Sequence, residues 1–301
     1  MNSVKLSVWI IALGVSISTM GASPTSTINT NNKWAWASNA GWIDCRTDPT
    51  NGAVIGEYVC SGYFYSSSLG WIHLGNGNPT NGIRYCNAVT NDYGVNHDGK
   101  GNLRGYAWSG SAGWIAFENT GEPKVDLRTG ILSGYAWGGS MGWINFSNQE
   151  AFSQSDTITG GSDNDNDDIP DVWELDHVGY TYTNVVGGTN DYDGDGITDA
   201  GEYIAGTNPT NENDVLRITA LSVNNSTNAV LTWASQETRL YTIERTTGLT
   251  SITGWQEIEP NRLSPNSGTN TTKTVSGDAT QRFYRVKAIR PLLQKFPRNG
   301  N

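Results

Sequence analysis

The chain is short of positive charge. Its 19 Lys and Arg face 29 Asp and Glu, leaving a formal net charge of −10. Neutralising phosphates requires a basic face, so nucleic acid is excluded as a partner, and anionic membranes with it. Phe (6) and Met (3) are scarce while Gly (36), Trp (12) and Tyr (13) abound, a balance that excludes a helical bundle and favours many short strands. Only three histidines occur, His73, His97 and His177. They are scattered without a closely spaced pair, which argues against a zinc site or a histidine base. The stretch from Gly138 to Gly142 fits G-x-S-x-G. It lies between two strand-like runs, however, where a nucleophile elbow needs a strand followed by a helix. No enzyme is expected.

Long apolar runs are also missing, with one exception. Lys5, the apolar run from Leu6 to Ile17 and the small residues Gly21 and Ala22 form the pattern of a signal peptide over residues 1–22. The run is shorter than the ~20 residues that span a bilayer, so cleavage, release and no membrane insertion thereafter are expected. Export allows disulfides to persist. Cys45 with Cys60 is the favoured pair of the three cysteines, and Cys60 with Cys86 the rival; one thiol is left over.

What is present begins with a repeat. WAWASNAGWIDC starts at Trp34, GYFYSSSLGWIHL at Gly62, GYAWSGSAGWIAF at Gly105 and GYAWGGSMGWINF at Gly134, and the Gly-Trp steps at Trp42, Trp71, Trp114 and Trp143 are 29, 43 and 29 residues apart. Each unit alternates, turns on small residues and alternates again, which reads as a β-hairpin. A Trp-rich domain of stacked hairpins over residues 23–150 is expected. The tryptophans read first as its core and inter-repeat packing, because one hairpin alone is too small to be stable. Alternation could instead face Trp36, Trp42, Trp71, Trp108, Trp114, Trp137 and Trp143 outward as a sugar-stacking surface. The run resembles the GYAW…GWI repeats of exported bacterial proteins, which imply no particular activity.

Residues 151–214 hold 15 of the 29 acidic groups and no Lys or Arg. Within them, Asp191, Asp193, Asp195, Ile197 through its carbonyl, Asp199 and Glu202 fall on the spacing of a calcium loop, with Gly196 at the sharp turn. A copy 28 residues earlier offers Asp163, Asp165, Asp167, the Ile169 carbonyl, Asp171 and Glu174, with Asp168 at the turn. Calcium is a hard cation that takes six to eight oxygens, so alternate carboxylates can wrap one side while a Glu on the following helix closes the other. Two structural Ca2+ ions per chain are expected, with a short helix after each loop and a small shared core of Ile169, Ile197, Trp173, Leu175, Tyr203 and Ile204. With the following GEYIAGTNPTN, the pair resembles thrombospondin type 3 and dockerin-like calcium repeats. A dockerin would imply a cohesin partner, but the position between two β domains favours a spacer.

From Val215 to about residue 290, six strand-like runs separated by Asn, Gly and Pro suggest a β-sandwich, with residues 291–301 as a tail. The segment resembles fibronectin type III or immunoglobulin-like modules, with Trp233 in the place of a core Trp and RFYRVKAI as a late strand. The sequence thus reads as a mainly β, three-module, secreted or cell-surface protein that binds calcium and serves a structural or adhesive role. A carbohydrate-binding protein, or an accessory part of a polysaccharide-degrading system, is the alternative. Polysaccharide or a surface protein is the corresponding partner.

Overall fold

The computed structural model describes residues 25–179, 187–224, 228–248, 254–258, 262–276 and 282–293. The expected signal segment, residues 1–22, lies outside these. Of the described residues 44% are strand and 7% helix, which sets the class as mainly β. No helix among the described residues is long and apolar enough to cross a membrane.

The N-terminal strands are β1 (Ile28–Ala37), β2 (Gly41–Asp44), β3 (Val54–Ile55), β4 (Cys60–Ser66), β5 (Gly70–Asn76), β6 (Val95–His97), β7 (Leu103–Ser109) and β8 (Gly113–Phe117), followed by β9 (Lys124–Val125), β10 (Leu132–Ser133), β11 (Tyr135–Gly138), β12 (Gly142–Asn145) and β13 (Ser153–Ser155). The four repeat units become four hairpins, β1–β2, β4–β5, β7–β8 and β11–β12, and each pairs with the next. The last also pairs with the first, Trp36 facing Asn145 and Ala37 facing Ile144. The hairpins therefore close into an eight-stranded antiparallel barrel instead of stacking in a row.

Closure decides which face of the alternation is inside. On the first strand of each hairpin small residues point inward, Ala35, Ala37, Ala107 and Ala136, with Phe64 the large exception; on the second strand it is always an isoleucine, Ile43, Ile72, Ile115 and Ile144, all buried. Phe117 and Phe146 fill the next layer 5.6 Å apart. Eight strands enclose a space that side chains alone can fill, so the interior is taken up by these residues and nothing larger fits. The tryptophans are thereby displaced to the outside. Trp36, Trp42, Trp71, Trp108, Trp114, Trp137 and Trp143 are 38–45% exposed, which corrects their reading as core.

Each Gly-Trp step has a backbone cause. Gly41, Gly70, Gly113 and Gly142 close the four turns at φ between +71° and +76°, a left-handed conformation that costs an L-residue with a side chain about 1–2 kcal/mol. The residues before them, Ala40, Leu69, Ala112 and Met141, fold back onto the core and plug that end of the barrel.

The expected Cys45–Cys60 bridge is not formed, and Cys86 is free as well. The β2–β4 register pairs Asp44 with Tyr65, which sets Cys45 beside Phe64 and leaves Cys60 four residues, or about 13 Å, further along the strand. A disulfide needs Cα atoms within about 7 Å. Both thiols lie in the core, where burial pushes them up to about 12, and Cys45 Sγ takes a hydrogen bond from Ser153 Oγ at 3.2 Å.

The barrel also reaches past the expected boundary at residue 150, because β13 pairs with β1 and the Ile158 N–H donates to Leu292 O at 2.8 Å. Helices α1 (Asp171–Val178) and α2 (Asp199–Ala205) follow. The remaining strands are β14 (Ile218–Asn224), β15 (Asn228–Ala234), β16 (Leu240–Thr246), β17 (Gln256–Glu257), β18 (Asn270–Ser276) and β19 (Phe283–Ile289). They form two three-stranded sheets, β14-β15-β18 and β17-β16-β19, around a shared core of Trp233, Tyr241, Leu231, Ile243 and Val275.

Candidate metal centre

Each acidic loop is folded around its own first carboxylate. Asp163 accepts the backbone N–H groups of Asp167 and Asp168 at 3.2 and 3.1 Å. Asp191 likewise accepts those of Gly194, Asp195 and Gly196 at 2.8, 3.1 and 2.9 Å. Two residues before the loop isoleucine the pattern repeats, Asp167 accepting from Ile169 at 2.9 Å and Asp195 from Ile197 at 2.7 Å. The turn positions are both left-handed, Asp168 at φ 74° and Gly196 at φ 93°, so Asp stands where the backbone favours Gly.

These turns bring three carboxylates together in each loop. Oxygens of Asp163, Asp165 and Asp167 lie within 4.8 Å of one another, and so do those of Asp191, Asp193 and Asp195. The closing glutamates sit on the first turns of α1 and α2. Glu174 and Glu202 are fully buried. Neither Glu174 oxygen has a hydrogen-bond partner; Glu202 Oε1 accepts from Thr207 Oγ1 at 3.2 Å and Oε2 has none. Asp193 and Asp195 each carry one further buried oxygen without a partner. Burial first, then Asp165 and Asp167, pushes the Glu174 carboxyl up to about 8. Burial likewise raises Glu202 to about 8 against the Thr207 bond, with Asp193 and Asp195 adding to it. Buried carboxylate oxygens without donors are costly unless a cation joins them. The donor set, carboxylates alone and without nitrogen or sulfur, is that of a hard divalent cation.

Asp171 and Asp199 are held by hydrogen bonds from the loops themselves. Both oxygens of Asp171 accept from Asn164, through its backbone and its side-chain amide, and those of Asp199 accept from Tyr192 N at 3.0 Å and Gly187 N at 2.9 Å. These bonds brace the loops from behind.

The helices end as their sequences require. Gly179 at φ 75° and Gly206 at φ 78° return N–H bonds to Leu175 O and Glu202 O. Their apolar residues form a core that differs from the expected one. Ile169, Trp173, Tyr203 and Ile204 take part, Ile197 and Leu175 do not, and Tyr58, Ile83 and Leu293 join from outside the segment.

The loops are tied to both β bodies through α2, which sequence reasoning did not foresee. Tyr203, next to Glu202, donates its hydroxyl to Glu57 Oε2 of the barrel at 2.8 Å. Ile204 O accepts from Arg239 Nε of the C-terminal body at 2.7 Å. Arg290, which follows β19, forms an ion pair with Glu57 and lies over the Tyr203 ring, 4.3 Å from its centroid. A buried pair between residues 57 and 290 leaves no local mark in a sequence. No family model, curated protein or solved structure matches the chain.

Proposed function

We propose that this is a calcium-binding structural protein of the cell exterior, in which two calcium ions stiffen the joint between the barrel and the C-terminal β body. The observation that supports this most is the pair of fully buried glutamates, Glu174 and Glu202, with partnerless oxygens beside clustered aspartates. Asp163, Asp165, Asp167, the Ile169 carbonyl and Glu174 would hold one ion; Asp191, Asp193, Asp195, the Ile197 carbonyl and Glu202 would hold the other. A bound divalent cation supplies charge neutralisation that lets these carboxylates stay ionised and close together. Glu202, Tyr203 and Ile204 are consecutive, so fixing the first fixes the docking groups of the other two.

The magnitude fits a joint better than a whole-fold staple. At the roughly millimolar calcium met outside cells, sites with Kd of ~10⁻⁴ to 10⁻³ M contribute about 0.4–1.4 kcal/mol each. That is small against the 5–15 kcal/mol of a folded domain, so the effect is local. Calorimetric titration of residues 23–301 with calcium is the test. Two ions per chain are expected for the native protein and one for Glu202→Gln. No binding at millimolar calcium, or an unchanged stoichiometry in the variant, would overturn the reading.

A further inference from the structure

The barrel has two unlike ends. The calcium loops and the C-terminal body dock where Glu57 and Tyr58 precede β4. The four hairpin turns all lie at the other end.

That end is ringed by aromatic side chains. Within each hairpin two rings stand directly opposite and meet edge to face: Trp36 and Trp42 at 5.0 Å, Tyr65 and Trp71 at 5.0 Å, Trp108 and Trp114 at 4.7 Å, Trp137 and Trp143 at 5.0 Å. Between hairpins the register makes them diagonal neighbours. Trp36 faces Asn145, Tyr65 faces Asp44, Trp108 faces His73 and Trp137 faces Ala116, so Trp143, Trp42, Trp71 and Trp114 each lie two residues from those partners. Diagonal neighbours are about 7–8 Å apart, within reach of aromatic side chains. Seven tryptophans and one tyrosine thus form a closed belt.

Charge is absent from it. The segments 36–42, 65–71, 108–114 and 137–143 contain no Asp, Glu, Lys, Arg or His, in a chain that is 16% charged. Their exposed polar groups are Ser38, Asn39, Ser67, Ser68, Ser111 and Ser140. Three of the four turns are also linked, Asn39 N donating to Met141 O at 3.0 Å and Ser68 Oγ to Ala40 O at 3.2 Å. Such links hold these turns in place before any ligand arrives, which lowers the ordering cost of binding.

A spanning barrel is not the explanation. Membrane strands need about 9–11 residues and an apolar exterior, whereas seven of the eight barrel strands have 4–7 residues and the outside carries Lys33, Asp44 and Arg104. An acidic protein or polymer finds no cation on these segments, and a basic one finds a single carboxylate, Glu118, beside them. An uncharged polyhydroxylated chain does, since pyranose C–H faces pack on aromatic faces and hydroxyls bond to serine and amide groups.

One place on the belt is concave. Tyr135, Trp137 and Trp143 line a cleft of about 340 Å³ with Ala116, Thr120 and Glu118. Glu118 is the sole ionisable group there besides Tyr135, and its carboxylate accepts hydroxyl donors while repelling anionic sugars. We propose that the aromatic end of the barrel binds neutral polysaccharide, with the Tyr135–Trp137–Trp143 cleft as its principal subsite.

The inference is independent of calcium, because the belt lies on the barrel's own strands at the far end from the loops. The test is native affinity electrophoresis of residues 23–301 in gels containing hydroxyethylcellulose or amylose, with alginate as the anionic polymer and phosphatidylcholine vesicles in a parallel flotation assay. Retardation by a neutral glucan, not by alginate, is expected, unchanged by chelator. Trp143→Ala should weaken it about tenfold, the factor equivalent to one lost stacking contact of about 1.4 kcal/mol. Glu118→Lys leaves every ring in place and should also weaken it, while Trp255→Ala, on the C-terminal body, should not. Migration unaffected by either neutral glucan, flotation with vesicles, or equal loss in all three variants would overturn the proposal.

Discussion

His97 shows how a single side chain sets a pH limit. It is fully buried, its Nε2 accepts the Gly101 N–H at 3.0 Å, and its Nδ1 therefore carries the proton donated to Gly56 O at 2.8 Å. Burial holds its pKa below the ordinary 6.5. The folded chain thus refuses a proton that the unfolded chain accepts, and stability present above 6.5 is lost as pH falls from there toward the folded value. Urea midpoints measured from pH 7.5 to 5.0 should fall below 6.5, and His97→Gln should flatten that part of the profile. A profile unchanged by the substitution would remove His97 as its cause. At this scale the clustering of the loop acids was legible, because their alternate spacing is written along the chain. The bonds by which Asp171 and Asp199 brace the loops were not, since a motif fixes where a carboxylate stands and not which donors fold against it. Nor was the side on which tryptophan falls: alternation marks two faces and leaves open which one is inside.

The hairpin turns isolate a backbone effect. Gly113 sits at φ 76° with nothing within 4 Å of an added Cβ, and Gly110 in the same turn has equally open space without a left-handed backbone. Gly113→Ala should therefore cost about 1–2 kcal/mol through conformation alone, and Gly110→Ala close to nothing, as read by thermal melting of the two variants side by side. Equal effects would mean that the turn relaxes. Turns, hairpins and helix ends were visible in the sequence because Gly, Pro and small residues mark them locally. Closure was not, because the contact between β1 and β12 spans more than 100 residues and depends on the number of strands and their tilt.

In the whole molecule, the buried Glu57–Arg290–Tyr203 cluster holds three segments to one point. Arg290→Met leaves the Glu57 carboxylate without its ion-pair partner, with the Tyr203 hydroxyl and the more distant Arg239 charge remaining, and should destabilise docking by up to about 3–5 kcal/mol, the cost of breaking a buried pair. Combining it with Glu57→Gln should recover much of that loss. Denaturation followed by tryptophan fluorescence checks both, and a cost under about 1 kcal/mol, typical of exposed pairs, would show the cluster to be solvated. This junction lies at the end of the barrel opposite the hairpin turns, and the aromatic end stays exposed among the described residues.

Because the fourth hairpin returns to the first, the repeat number is not free to drift. A linear array can gain or lose a unit and keep its neighbours' contacts. A ring cannot: removing one hairpin would crush the layers of Ala, Ile and Phe, and adding one would widen a lumen that those side chains could no longer fill. Gain or loss of a single unit therefore disturbs the whole closed core, whereas extra length is accommodated between hairpins, as in the 14 extra residues that separate the second Gly-Trp step from the third.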